Sequence, residues 1–282
     1  MPVKPGATAE PIATVPLSTT FRADGADVVI HAEGALDFCV HKCILSLVSP
    51  VFKDMFTIPQ PLTDTPDVLP HVDVQDPSGA WENILRTIYP VPNPTVDNLD
   101  DLESLLLTAK KYEMKYVIDS HIRCFENRTF IRDDPLRLYA IACAGGFEEQ
   151  AKYVASHAEH STVVGRYNVS DLESLTLDSY HRLVSFLLER DKGWDQILTE
   201  APVPEGDDCS CTSSSGVYAM IKEVLRTPYL STDEVCLNYL ERSSKDCASS
   251  VTLGWCALAT SEVRGFIDSM AAEKDKLCNQ LW

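Results

Sequence analysis

Residues 27–56, "DVVIHAEGALDFCVHKCILSLVSPVFKDMF", constrain the chain most, because their apolar period changes partway along. Val28 and Ile30 fall on one face and Val29 and His31 on the other, the period-two pattern of a strand. Glu33-Gly34 supplies a turn, and Leu36, Phe38 and Val40 alternate on the return, which predicts a hairpin. From His41 the period becomes helical, with Ile44, Leu45 and Val48 on one face. Ser49 then suits an N-cap before Pro50, whose missing N–H costs nothing in a first turn. Val51 with Met55, and Phe52 with Phe56, repeat at i, i+4. The stretch therefore predicts a hairpin followed by two short helices at an angle, presenting an apolar corner that must pack on something.

The rest of the chain extends this plan. Residues 1–20 hold prolines at 2, 5, 11 and 16 and no apolar run, so they read as a disordered tail without a secretory signal. Downstream, "HVDV" reads as a short strand, and Asp76-Pro77 as the cap and start of a helix with the stripe Trp81, Ile84, Leu85, Ile88. "YPVPNP" stops that helix. Leu102, Leu105, Leu106, Ala109 and Tyr112 mark another helix, and Val117, Ile118, His121, Ile122 and Phe125 one more. Beyond Arg128 only helical patterns persist. Asp134-Pro135 starts a helix that Gly145-Gly146 ends, Ala151, Val154, Ala155 and Ala158 mark the next, and Tyr180, Leu183, Val184, Leu187 and Leu188 form a strong stripe. Ser170 with Glu173 and Ser231 with Glu234 fit capping boxes. The tail from Ser249 to Trp282 reads as one or two helices. The expected organisation is α+β: a mixed unit over 21–127, then an all-α domain over 128–282.

Charge narrows the partners. With 42 acidic side chains against 24 basic ones the net charge is -18, a balance that repels phosphate backbones and anionic membrane surfaces. No apolar run is long enough to span a bilayer. Neither nucleic acid nor membrane is an expected partner. The ten cysteines are scattered through a chain without an export signal, as reduced core thiols of a cytoplasmic or nuclear protein would be.

Four places carry residue types that could hold a metal or do chemistry. Cys39, His41 and Cys43 alternate, but only Cys39 and His41 share a strand face, and a closed zinc site needs four ligands. We expect Cys39 and Cys43 in the core and the His41 ring nitrogens on backbone groups. Cys209-Ser-Cys211 lies in a polar loop, and with Cys236, Cys247, Cys256 and Cys278 it supports an alternative reading as a zinc- or redox-responsive protein. His157-x-x-His160 suits a shared face of one helix. The runs Asp97–Glu103 and Glu205–Asp208 lack the alternation of a calcium loop. The chain carries no Walker A loop, no G-x-G-x-x-G after a strand, no G-x-S-x-G elbow and no H-E-x-x-H. No catalytic residue, cofactor or metal ligand is expected, and the chain reads as a non-enzyme.

At Asp27, Val28, Phe38, His41, Lys42, Leu45, Ser49, Phe52, Met55 and Phe56, the opening stretch resembles a BTB/POZ domain. The resemblance continues through "VDVQD", the Trp81–Tyr89 helix and "LLLTAKKYEMKYVIDSHIRCF", covering about Phe21 to Asn127, and the "IYPVPNP" insertion is similar to fungal versions. It implies a helical cluster flanked by a small sheet that serves as a protein-interaction module. Such modules usually self-associate, and some act as adaptors that hold a substrate to a cullin ubiquitin ligase. Asp27, His41 and Lys42 correspond to polar positions at the module's centre, which order the fold first and touch a partner second. Leu62-Thr63-Asp64 is the nearest counterpart of the hydrophobic-x-Glu signal of cullin-binding members, so Leu62 and Asp64 join the interaction set. The expected function is an interaction scaffold or adaptor.

Overall fold

The computed structural model describes residues 17–34, 36–58, 69–165, 175–200 and 252–282. The chain divides into two compact units, Met1–Ile122 and Arg123–Trp282.

The first unit is built on a four-stranded sheet with strands β1 (Leu17–Arg22), β2 (Val28–Glu33), β3 (Leu36–Val40) and β4 (His71–Pro77), in the order β1-β3-β2-β4. β2 and β3 form the expected antiparallel hairpin, with Ile30 opposite Phe38 and Val28 opposite Val40. Gly34 turns it at φ 94°, a value that side chains resist. β2 departs from simple alternation: in this central strand between β3 and β4, Val28, Val29 and Ile30 are all buried. β1 begins at Leu17, inside the stretch read as tail. It pairs parallel with β3, Leu17 opposite Asp37 and Arg22 opposite Cys39, and delivers buried Phe21 to the core. Thr19, Thr20 and Phe21 suit an extended chain, a preference that the prolines upstream obscured.

Helices α1 (Lys42–Val48) and α2 (Pro50–Thr57) follow the hairpin. Ser49 caps α2 as expected, accepting from the Phe52 N–H (3.2 Å), and its own hydroxyl donates to the Tyr112 carbonyl (2.6 Å). Helices α3 (Ser78–Ile88), α4 (Leu99–Lys111) and α5 (Lys115–His121) complete the unit. Asn98 caps α4, so the acidic run lies in a helix start, where carboxylates oppose the positive end of the dipole. The core centres on Phe52, Trp81 and Tyr112, whose ring centroids lie 5.0–5.6 Å apart.

Asp76 corrects the sequence reading. It caps nothing: α3 starts at Ser78 with no side-chain cap, and Asp76 is buried instead. Val72, Val74 and Asp76 share the inward side of β4 by parity, which places a carboxylate against the core. It is satisfied by the Tyr112 hydroxyl (2.7 Å) and the Lys111 ammonium (2.8 Å), and burial first, then the Asp76 carboxylate, drives the Tyr112 phenol far above its ordinary pKa.

The second unit is helical in every described segment: α6 (Arg128–Asp133), α7 (Pro135–Gly145), α8 (Glu148–His157), α9 (His160–Gly165), α10 (Leu177–Glu200) and α11 (Thr252–Leu281), after a 3₁₀ turn at Ile122–Glu126. Asp134 caps α7 through the Arg137 N–H, and Gly146 ends it in the left-handed region at φ 65°. His157 and His160 do not share a helix. α8 ends at His157, Ala158 is extended, and α9 starts at His160. Phe125, read as part of a helix with Val117, lies in that 3₁₀ turn and packs edge-on against Phe147 (6.0 Å). The Ser170 and Ser231 capping boxes lie outside the described residues, and the Ser249–Trp282 segment is a single long helix from Thr252.

Replacing Tyr112 with Phe removes a donor from a buried carboxylate while keeping the ring. It is expected to lower the stability of the first unit by about 1–2 kcal/mol, read as a lower urea midpoint at unchanged slope.

Candidate interaction site

The corner where β3 becomes α1 gathers the polar residues singled out in the sequence. His41 occupies the N-cap position of α1, yet its side chain does not cap. The cap comes from across the hairpin: the Asp27 carboxylate, at the entry of β2, accepts the Lys42 backbone N–H at 2.7 Å. A carboxylate at a helix start also complements the partial positive charge of the first turn. Asp27 is solvent-exposed, so the cap sits at the surface of the corner.

The His41 ring has a different task. Nε2 lies 3.2 Å from the Asp24 carbonyl, which can only accept, so this nitrogen carries the proton. Nδ1 is then an acceptor, 3.1 Å from the Tyr89 hydroxyl, while the Tyr89 oxygen accepts the His41 backbone N–H at 2.9 Å. The loop of bonds is closed: Tyr89 gives its proton to the ring and takes one from the backbone of the same residue. The rings also stack at 6.0 Å, and Phe21 meets Tyr89 edge-on at 5.8 Å. Burial raises the Tyr89 pKa, the His41 N–H opposes that shift, and Cys43 and Asp27 add to it, so the phenol stays protonated. His41 thus bonds one backbone group and one phenol, rather than backbone groups alone.

The Lys42 ammonium lies 5.7 Å from the centre of the Phe56 ring, a cation–π contact that leaves the head group at the surface. Cys39 and Cys43 are not core thiols: Cys39 is half-buried and Cys43 is exposed. Cys39 falls on the outward side of β3, and Cys43 on the outward face of α1. One turn further along that face, Leu47 is 85% exposed, and Ile58 at the end of α2 is 61% exposed. Ile44, Val48, Val51, Met55 and Phe56 around them are half-buried. Leu62 and Asp64, the other two residues of the expected interaction set, lie outside the described residues, as do Cys209 and Cys211.

Among the described residues, no three His, Cys, Asp or Glu side chains converge as a metal-binding group, and no helix is long and apolar enough to cross a membrane. Cys278 is buried, and burial raises its thiol pKa, which opposes thiolate formation. Tyr89 escaped the sequence reading. It stands 48 residues from His41, at the C-cap of α3 just past the stripe that ends at Ile88. Leu47 was equally silent, since a leucine one position off an apolar stripe looks like part of it.

The family model of the BTB/POZ domain matches residues 19–128. No curated protein matches the chain.

Tyr89→Phe opens the bond loop at both His41 atoms but preserves the stacking. It is expected to destabilise the corner by about 1–2 kcal/mol and to speed amide exchange over 41–48, with exchange over α4 little changed. Asp27→Ala is expected to cost about 1 kcal/mol, with faster exchange at the Lys42 amide.

Proposed function

From a chain whose residues 19–128 form a BTB/POZ domain, a fold that generally serves as a protein-interaction module, we propose a scaffold or adaptor that self-associates through α1 and α2. The observation that carries this is Leu47. A leucine 85% exposed on a short helix, one turn from exposed Cys43 and flanked by half-buried Ile44, Val48 and Val51, offers apolar area to a protein partner. The corner beneath it is stiffened by the Asp27 cap and the His41–Tyr89 loop, so the surface is presented without an ordering cost at binding. Asp27 and Lys42 lie at its edge, where charge selects partners more than it adds affinity.

The finer reading is an adaptor that holds a partner of the helical domain to a cullin, with Leu62 and Asp64 contributing to the cullin contact, in the cytoplasm or nucleus. The family resemblance and the strongly acidic chain support it; direct binding to nucleic acid or an anionic membrane does not fit a net charge of -18.

Light scattering on the full chain tests self-association. A dimer is expected, and Leu47→Asp is expected to weaken it at least tenfold with unchanged circular dichroism. A strict monomer, or a dimer indifferent to Leu47→Asp, overturns the assignment of this face. A pull-down with purified cullin tests the adaptor reading separately: capture lost on Leu62→Ala or Asp64→Ala supports it, and no capture overturns it while leaving self-association standing.

A further inference from the structure

At the end of α11 one ring is held by four side chains from three other helices. The indole of Trp282, which directly follows the last residue of α11, stands edge-on to Phe186 (5.4 Å, 83°) and to Tyr139 (6.3 Å, 84°). The Arg182 guanidinium lies 4.7 Å from the ring centre, a cation–π contact. The indole N–H donates to Glu148 Oε1 at 3.1 Å, and Arg182 Nη1 donates to the same oxygen at 2.7 Å. Tyr139 comes from α7, Glu148 from α8, and Arg182 and Phe186 from α10.

This seat does not depend on its occupant. Tyr139 is fully buried and its hydroxyl donates to the Ser179 carbonyl at 3.2 Å, Phe186 is buried beside it, and the Arg182–Glu148 ion pair ties α10 to α8 without Trp282. Nor does α11 depend on the seat. Its hold on α10 comes from Trp194 and Met270, buried together with Ile197 and Leu277 packed on them. Gly193 lets the helices approach there, since a Cβ would lie 3.0 Å from the Leu277 side chain. Trp282 itself is only half-buried, and its backbone N–H reaches the Cys278 carbonyl at 3.3 Å. The polar rim is open to water, with the Glu148 side chain 60% exposed and that of Arg182 40%. One side chain thus fills a ready-made site that faces solvent.

The chemistry of the seat selects its ligand. A carboxylate only accepts, so Glu148 asks for a donor at the edge of a ring. A guanidinium is charged at every working pH, so Arg182 asks for an electron-rich face, which indole offers best. Phe186 and Tyr139 reward a broad flat ring set edge-on. A phenylalanine ring would leave Glu148 without its donor. We propose that Tyr139, Glu148, Arg182 and Phe186 form a tryptophan-recognition site, which Trp282 fills in cis and a protein partner enters with a tryptophan of its own. Trp282 is then a built-in competitor: the partner's affinity is lowered by the fraction of chains whose seat is filled. The site belongs to the second unit, so its test is independent of the face assigned to α1 and α2.

Calorimetric titration of the full chain with N-acetyl-tryptophanamide tests this. Trp282→Ala empties the seat and is expected to bind the probe one to one, at least tenfold more tightly than the native chain does. In that background Glu148→Ala is expected to weaken binding at least tenfold, and so is methylation of the probe's indole nitrogen. Amide exchange over 268–278 is expected to be the same in Trp282→Ala and the native chain, because α11 keeps its own hold on α10. A folded Trp282→Ala chain that binds no more tightly than the native one, or binding indifferent to the indole N–H, overturns the site. Faster exchange over 268–278 in Trp282→Ala makes Trp282 an anchor of α11 and overturns it as well. Circular dichroism identifies an alanine variant that fails to fold. Trp282→Phe, which keeps a ring but offers Glu148 no donor, then replaces it and is expected to bind the probe at least threefold more tightly than the native chain; equal affinity overturns the proposal.

Discussion

The first unit depends on one backbone amide, the N–H of Lys42. The first turn of α1 has orphan donors, and His41, its N-cap residue, does not cap it because its ring is committed to Asp24 and Tyr89. Asp27 resolves this from the far end of the hairpin partner. The cap therefore exists only once β2 and β3 are in register, and the direction of α1 is tied to the sheet rather than to local propensity. His41 and Tyr89 then link the same corner to the end of α3. Strand pairing, helix start and the α3 terminus form one cooperative system, which suits a module whose outward face must keep a fixed shape.

The same economy recurs at three buried polar side chains. Ser49 uses one hydroxyl twice, accepting from α2 and donating to the end of α4. Asp76 is held by a phenol and an ammonium from adjacent residues of one helix end. Arg190 spends one guanidinium nitrogen, Nη1, on the carbonyls that α8 leaves open. Each group is costly if left unpaired, and each joins elements distant in sequence. These bonds specify which helix meets which, while the apolar clusters around Phe52 and Trp194 supply most of the driving force.

Much of this was legible in the residues alone. The change from period two to helical period at His41, the Ser49-Pro50 step, the Asp134-Pro135 start and the Gly146 stop are local signals, and the structure follows them. What the sequence concealed depended on partners far along the chain. Asp76 looked like a cap because Asp-Pro usually marks one, and its buried role became visible only through Tyr112. Cys39 and Cys43 looked like core because cysteine usually is, yet alternation turned one half outward and helical phase exposed the other. β1 was hidden by the prolines before it, and its strand character comes from pairing with β3. Of the interaction set, Asp27, His41 and Lys42 meet at one corner, and Tyr89, which completes it, had no local signature.

The sheet carries a further implication for a protein that works by association. β1 and β4 are its outer strands, and an outer strand offers unpaired amides to any passing chain. β4 is bounded by Pro70 and Pro77, neither of which has an N–H to give, and it exposes His71, Asp73 and Gln75 along its length. A strand arriving there would find no donor at Pro77 and a carboxylate in its path. The β4 edge is thereby biased against fibre-like growth through the sheet.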